Sequence, residues 1–125
     1  MDIRTNGASV MTIKRIECGP RMSRAVVCNN MVYLSGLTAD DTSADVKGQT
    51  EQILAKIDKY LREAGSEKSK LVTANIWLSD IRTFNQMNKA WDAWVSPGNT
   101  PARATVQSDL ANPQLQVEIM CVASL

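Results

Sequence analysis

The sequence predicts a single α+β domain in which a mixed six-stranded sheet carries two helices on one face. Short strand-like runs open and close the chain, and two longer segments place apolar residues at helical spacing. The resulting order is β-β-β-α-β-α-β-β, without a repeat or a low-complexity linker. At 125 residues the chain is long enough for one hydrophobic core. The other face of the sheet needs cover, and association of copies is its simplest source.

The domain is predicted to span residues 13–125, after a lead-in at 1–12 whose polar, mixed composition indicates flexibility. Met11 is a candidate natural start, because the periodic pattern begins just after it.

Three short apolar runs near the start of the domain predict strands. They cover residues 13–18, 24–29 and 31–35. Gly19-Pro20 ends the first run. Asn29-Asn30 separates the next two, and asparagine tolerates the positive φ of a tight hairpin turn. Gly36 ends the third run, and a loop follows it.

Residues 45–64 predict the first helix, because apolar positions recur at helical spacing with Lys, Gln and Glu between them. These positions are Thr50, Leu54, Ile57, Leu61 and Ala64. Asp45 suits the N-cap, and Gly65 suits the residue after the helix. The β-branched run at 71–78 predicts the fourth strand.

Thr83 and Gln86 have capping-box spacing, which predicts the start of the second helix. One apolar face follows, and its position indicates core packing rather than a cofactor site. It consists of Phe84, Met87, Trp91, Trp94 and Val95. Pro97-Gly98 ends the helix. Two strands near 102–108 and 115–123, joined through Ala111-Asn112-Pro113, close the domain.

Charge and residue usage exclude several function classes. The 14 Lys and Arg residues nearly balance the 13 Asp and Glu residues, and no basic stripe occurs, so neither nucleic acid nor an anionic membrane is indicated as a partner. The chain has no histidine, which excludes Ser-His-Asp and Cys-His catalysis and the commonest zinc and haem ligand sets. No glycine-rich phosphate loop or metal-ligand spacing occurs, so we expect no cofactor and no metal.

The three cysteines, Cys18, Cys28 and Cys121, lie far apart without CxxC spacing. Each lies in an apolar run, which indicates small buried side chains rather than reactive thiols. The odd number favours a reducing compartment, and we expect a cytoplasmic protein. No run is long and apolar enough for a membrane span, and the N-terminus lacks the apolar core of a signal peptide.

Arg103 is the first candidate functional residue. It alternates with Thr105 and Gln107 on one face of its predicted strand, and alanines on both sides leave room around the guanidinium. An arginine in this setting can grip a planar carboxylate through two parallel hydrogen bonds. A salt bridge within the chain or between subunits explains the same pattern, and the residues alone favour it.

Glu118 is the second candidate, because it lies alone in an apolar C-terminal run. It could orient a water or move a proton, and it could equally face solvent or pair with Arg103. Ser35-Gly36 offers a hydroxyl and an approachable backbone for a polar ligand. Asn88, in the second predicted helix, is by itself an ordinary exposed residue.

Several segments together resemble the Rid (reactive intermediate deaminase) family, also called the YjgF or endoribonuclease L-PSP family. The C-terminal signature is carried by Pro101-Ala-Arg-Ala-Thr-Val106, Leu110, Pro113 and Val117-Glu-Ile119. Val32-Tyr-Leu-Ser-Gly36, the helix from Gln49-Thr50 to Leu61 with Ala64-Gly65, and the helix from Phe84 to Trp91 with Met87-Asn88 agree in order and spacing. The resemblance covers nearly all of residues 13–125.

The resemblance implies a chorismate-mutase-like fold and a homotrimer with ligand clefts between subunits. It also implies hydrolysis of enamines and imines, such as 2-aminoacrylate, to a 2-oxo acid and ammonia. By position, Arg103 matches the arginine that clamps the substrate carboxylate, and Glu118 matches the glutamate that orients the attacking water. Ser35, with Gly36, matches the cleft lining, and Asn88 matches a polar residue near the rim.

The chain departs from the family pattern at four positions. Met22 stands where the well-studied deaminases have a tyrosine, and Thr105 stands where many have a cysteine. Leu37 replaces a frequent glutamine, and Met120 replaces an acidic residue. The pattern indicates a divergent subgroup with a changed cleft wall, in which Thr105 or Ser35 could replace the tyrosine hydroxyl.

Three functions therefore stand beside one another. The first is an imine and enamine deaminase that uses Arg103 and Glu118. The second is a non-catalytic trimer that binds a 2-oxo acid or a related carboxylate, which the changed cleft residues suggest. The third is a ribonuclease, against which the near-neutral charge and the absent basic patch argue.

Overall fold

The computed structural model describes residues 12–125, which contain six strands and two α-helices in the predicted order. The strands are β1 (Lys14–Cys18), β2 (Ser23–Cys28), β3 (Met31–Leu34), β4 (Leu71–Leu78), β5 (Ala102–Gln107) and β6 (Val117–Ser124). The helices are α1 (Val46–Ala64) and α2 (Phe84–Trp94), and short 3₁₀ turns lie at Lys68–Lys70 and Ile81–Thr83. The candidate start at Met11 and the predicted lead-in up to that residue lie outside the described residues.

The six strands form one mixed sheet in the order β1-β2-β3-β6-β4-β5. Neighbouring strands are antiparallel except for β4 and β5, which run parallel. A parallel pair needs a crossover connection, and α2 provides it. The last strand, β6, lies between β3 and β4, so the C-terminal run that carries Glu118 is central, while β5 is an edge.

Local sequence signals set several of these boundaries as predicted. Asn29 and Asn30 adopt φ values of 52° and 62° in the hairpin turn between β2 and β3. The Asp45 carboxylate accepts a hydrogen bond from the Gly48 amide at 2.8 Å and so caps α1. Gly65 has a φ of 90° after the last turn of α1, a conformation that glycine adopts without strain.

The predicted capping box at the start of α2 is wrong. The Thr83 side chain makes no capping hydrogen bond and instead donates to the Asp80 carbonyl at 2.6 Å. The Asp80 carboxylate accepts a hydrogen bond from the Arg82 amide at 2.9 Å, which stabilises a 3₁₀ turn ahead of the helix. The chain therefore enters α2 through that turn.

The last strand begins later than the predicted residue 115. The Leu115 amide lies 3.2 Å from Oδ1 of Asn112, so this residue belongs to a turn before β6. A side chain that accepts hydrogen bonds from nearby amides competes with strand pairing, which explains the shift.

The two helices cover one face of the sheet, and the core lies between them. Buried side chains from the alternate positions of the strands form one cluster with those of both helices, including Ile53, Ile57 and Met87. We call the opposite side the open face, because no element of residues 12–125 covers it. Tyr33 and Val106 lie on this face, 46% and 50% exposed.

Candidate functional site

Arg103 lies in the edge strand β5 and points to the helix-covered face, because it pairs in register with the buried Ala74 of β4. Its Nη1 donates a hydrogen bond to Oδ1 of Asn88 at 2.9 Å. The guanidinium carbon lies 5.2 Å from the ring centroid of Trp91 and 5.8 Å from that of Phe84, within the range of cation–π contact. Helix α2 therefore holds the guanidinium from one side.

The Arg103 guanidinium has no carboxylate in direct contact among the described residues. It forms no ion pair within residues 12–125. Partial burial lowers the pKa of the Arg103 guanidinium, and the charge of Asp92 acts in the opposite direction. An arginine still keeps its proton at neutral pH. A half-buried, charged guanidinium with spare N–H donors is suited to bind a planar anion.

Thr105 lies two residues further along β5 and faces the same side, in register with Ile76. Its Oγ1 is buried and has no hydrogen-bond partner among residues 12–125. A buried hydroxyl without a partner costs about 1–3 kcal/mol, which a ligand or a water could recover. The structure therefore brings Thr105 and Asn88 to the strand and helix that hold Arg103.

Glu118 lies in β6 between the buried residues Val117 and Ile119, so its side chain points to the open face. It pairs in register with Trp77 of β4. On its other side, the carboxylate lies directly against the backbone of Gly36, where a Cβ atom would overlap Oε2 of Glu118. Only glycine leaves room for this approach.

Ser35 and Gly36 lie where the pairing of β3 with β6 becomes irregular. The regular register ends at Tyr33, and pairing resumes only as an isolated bridge between Leu37 and Ile119. The Ser35 hydroxyl is buried and, within residues 12–125, has no hydrogen-bond partner. The irregular pairing thus places the Ser35 hydroxyl and the backbone of Gly36, which has no side chain, next to the strand that carries Glu118.

The predicted site residues form two groups rather than one. Arg103 and Glu118 lie on opposite faces of the sheet, and β4 separates their strands. The expectation of a salt bridge between these two residues within one chain is therefore wrong. One group comprises Arg103, Asn88 and Thr105, and the other comprises Glu118, Ser35 and Gly36.

The sequence prediction assigns Phe84 and Trp91 to the core. That assignment is right for Trp91, which is buried, and wrong for Phe84, which is 37% exposed. Both rings lie beside Arg103. Phe84, Asn88 and Trp91 follow an i, i+4, i+7 spacing and so share one face of α2. That spacing could have grouped the two rings with Asn88. Their contact with Arg103 depends on where β5 lies in the sheet, which the spacing does not reveal.

Within residues 12–125 no three or more His, Cys, Asp and Glu side chains are grouped so that they could hold a metal ion. The same residues include no helix that is long and apolar enough to cross a membrane.

The sequence and the fold match known proteins along almost the whole described chain. Residues 12–125 match the family model described as Endoribonuclease L-PSP. The RutC family protein YoaB of Escherichia coli is 46% identical over 115 residues, which cover 92% of this chain and 100% of that protein. Reactive Intermediate Deaminase A of Arabidopsis thaliana is 33% identical over 82% of this chain and 58% of that protein.

Solved structures agree with these matches. A YjgF family protein from Neisseria meningitidis superposes with a TM-score of 0.89 at 41% identity, over 91% of this chain and 95% of the other. These neighbours show that the protein is a small α+β protein with a chorismate-mutase-like fold. The chain belongs to the Endoribonuclease L-PSP family, also called the YjgF or Rid family, as the resemblance of its motifs predicts.

Proposed function

We propose that the protein hydrolyses 2-imino acids and their enamine tautomers, such as 2-aminoacrylate, to 2-oxo acids and ammonia. The observation that carries this proposal is the half-buried Arg103 guanidinium, which Asn88 and two aromatic rings contact and with which no carboxylate of residues 12–125 forms an ion pair. The planar carboxylate of a 2-imino acid supplies the missing negative charge through two parallel hydrogen bonds. The Arabidopsis relative named Reactive Intermediate Deaminase A supports the same reaction class.

The proposed site needs a second copy of the chain, because Arg103 and Glu118 lie on opposite faces of one sheet. We propose a homotrimer in which the Arg103 group of one subunit meets the Glu118 group of the next, with a cleft at each junction. The exposed apolar side chains of the open face, Tyr33 and Val106 among them, support burial of that face between subunits. The position of β5 at the sheet edge supports the proposal that Arg103 lies at such a junction.

In the proposed reaction, Arg103 fixes the substrate carboxylate and Glu118 orients one water. The water oxygen bonds to the carbon of the protonated imine, the C=N π electrons move to nitrogen, and Glu118 accepts a water proton. Glu118 then gives that proton to the nitrogen, the C–N bond breaks as the carbonyl forms, and the hydroxyl proton leaves with ammonia as ammonium. The carbon is already electrophilic, so positioning and a proton acceptor are the main requirements.

The histidine-free composition and the unpaired hydroxyls of Ser35 and Thr105 fit this chemistry, because the reaction needs polar contacts but no metal. We also propose a cytoplasmic location, since the odd, unspaced cysteines are typical of a reducing compartment.

The test generates 2-imino acids with an amino-acid oxidase and follows the competition between their hydrolysis and trapping by semicarbazide. We expect the wild type and Arg82→Ala to lower trapping equally, because Arg82 pairs with Asp80 away from the site. Arg103→Ala and Glu118→Gln should restore it. Equal trapping with and without wild-type protein would reject the deaminase.

A second candidate is a trimer that binds a 2-oxo acid without turnover. Exposed Met22 favours it, because a thioether stands where a tyrosine hydroxyl serves the family's well-studied deaminases. Calorimetry with a 2-oxo acid separates the candidates. Arg103-dependent binding together with no change in imine trapping would establish the binding function. Ribonuclease activity is not proposed, because the formal net charge is only +1 and basic residues form no stripe.

A further inference from the structure

The buried Gln49 side chain contacts four backbone groups in the interior of the described domain. It is 0% exposed in the first turns of α1. Its Nε2 lies 3.3 Å from the Thr42 carbonyl and 3.2 Å from each of the Ala44 and Gln114 carbonyls. Its Oε1 accepts a hydrogen bond from the Gln116 amide at 3.0 Å. Both ends of the buried amide are therefore satisfied.

These contacts join two loops that are distant in sequence. Thr42 and Ala44 belong to the loop that runs from Gly36 to α1, whereas Gln114 and Gln116 belong to the loop that leads into β6. Gln116 lies two residues before Glu118. The Gln49 side chain thus connects the two backbone segments on which Gly36 and Glu118 lie, and Nε2 of Gln116 adds a longer contact to the Ala44 carbonyl at 3.5 Å.

The connection matters because regular strand pairing between these segments is interrupted on that side, where two backbone hydrogen bonds join Leu37 and Ile119 at 2.9 Å and 3.1 Å. Next to Glu118, β6 is paired continuously with β4, but toward β3 it has only the bridge between Leu37 and Ile119. The Glu118 carboxylate lies so close to Gly36 that a single Cβ atom would not fit. A small separation of the two segments would therefore change where the carboxylate lies.

We infer that Gln49 is a positioning residue, which keeps the Ser35-Gly36 segment against Glu118 and so fixes the carboxylate in its working orientation. Its role in turnover rests on the proposed deaminase function, whereas its control of the contact between Gly36 and Glu118 does not. Gln49 itself is enclosed by the protein and does not reach a ligand.

Gln52 is a matched control, because it lies on the same helix and ties only the first loop. Its Oε1 accepts from the Asp40 and Asp41 amides at 3.1 Å and 3.0 Å, and its Nε2 donates to the Asp41 carbonyl. It makes no hydrogen bond to the loop before β6 among the described residues. Gln49→Met and Gln52→Met therefore differ in whether the loop before β6 is released.

The experiment measures amide hydrogen exchange and imine hydrolysis in both variants. We expect Gln49→Met to speed exchange of the Leu37 and Ile119 amides at least tenfold relative to Cys121 in the same strand. We expect its kcat to fall about tenfold while KM stays within twofold, because Arg103 is untouched. Gln52→Met should leave both amides and kcat near wild type.

Unchanged exchange at Leu37 and Ile119 in folded Gln49→Met, or an equal effect of Gln52→Met, would overturn the inference whatever the wild-type activity. Selective exchange together with a wild type that does not hydrolyse imines would reject the deaminase and retain the positioning role in the contact. If Gln49→Met does not fold, Gln49→Glu at pH 5 replaces it in the experiment. Glutamate keeps the length of the glutamine side chain but lacks the NH₂ group that donates to the loop carbonyls, and the same criteria apply to it.

Discussion

Arg103 donates a hydrogen bond from Nη1 to Oδ1 of Asn88 at 2.9 Å, across the gap between edge strand β5 and helix α2. The family resemblance implies that Asn88 lines the rim of a ligand cleft, and the structure gives it a second task. An amide oxygen holds one edge of the guanidinium, and the remaining donors stay available. Affinity for a carboxylate should then depend on Asn88 through Arg103.

Replacing Asn88 should weaken substrate binding more than turnover. In Asn88→Ala the charged guanidinium loses its hydrogen bond to the amide oxygen. We expect this loss to weaken substrate binding by about 1 kcal/mol, so KM should rise about fivefold. We expect kcat within twofold of wild type, because Glu118 is untouched. Steady-state imine hydrolysis measures both values. Asn85→Ala, on an exposed turn of the same helix, is the control. A fall in kcat with constant KM would contradict the prediction.

Arg103→Lys should lose most carboxylate binding although it keeps the positive charge. An ammonium cannot offer two parallel N–H donors, and the contacts of the planar guanidinium with the Phe84 and Trp91 rings are lost. We expect a loss of about 2–3 kcal/mol, which corresponds to about 30-fold to 150-fold weaker binding of a 2-oxo acid by calorimetry. Arg82→Lys should bind as wild type does. Equal affinities for Arg103→Lys and the wild type would place the ligand elsewhere.

Gly36→Ala should displace the Glu118 carboxylate. The added methyl overlaps Oε2 of Glu118, which lies at the end of a flexible side chain, so we expect a destabilisation of at most about 1 kcal/mol in urea unfolding together with a strong loss of activity. In a Glu118→Ala background the overlapping atoms are absent, so Gly36→Ala should then cost almost nothing. The double-mutant cycle measures this coupling directly. Additive costs in the two backgrounds would show that the two residues do not meet.

A charge on the open face should dissociate the proposed trimer. Val106 is 50% exposed on this face, and Val106→Arg would place a charge in the interface between copies. Light scattering after size-exclusion chromatography should show trimers for the wild type and smaller species for the variant, with activity lost in parallel. Ile13→Arg, at a similarly exposed residue before β1, should remain trimeric. A monomeric wild type would reject the proposed architecture.

The Cys121 thiol should make stability fall at alkaline pH. Burial raises the pKa of this thiol from 9.0 to about 12, so the thiol stays protonated in the folded state while it ionises in the unfolded chain. The contribution of the protonated thiol to the free energy of unfolding is complete below pH 9. It is lost as the pH rises toward 12, at up to about 1.4 kcal/mol per pH unit. Urea unfolding should show that the free energy of unfolding falls less between pH 8.5 and pH 10.5 in Cys121→Ala than in the wild type. Parallel losses would contradict the prediction.

Local patterns in the sequence predicted most of the secondary structure. The Asn29-Asn30 turn, the Asp45 cap and the Gly65 stop depend on neighbouring residues alone, and the structure confirms all three. The capping box at Thr83 failed because Thr83 belongs to the 3₁₀ turn, with a φ of −90° and a ψ of 10°, rather than to the extended conformation of an N-cap residue. The spacing of residue types does not contain the backbone geometry of such a turn.

For the candidate site, the sequence by itself determined which residue types are present and which way each side chain points along its own strand. It placed Arg103 and Thr105 on one side of β5, and Glu118 on the opposite side from Val117 and Ile119. Only the tertiary structure decided that β6 lies between β3 and β4 and that Arg103 meets α2. Strand order and register come from contacts distant in sequence, whereas alternation and capping come from adjacent residues. For that physical reason the separation of Arg103 from Glu118 emerged only in three dimensions.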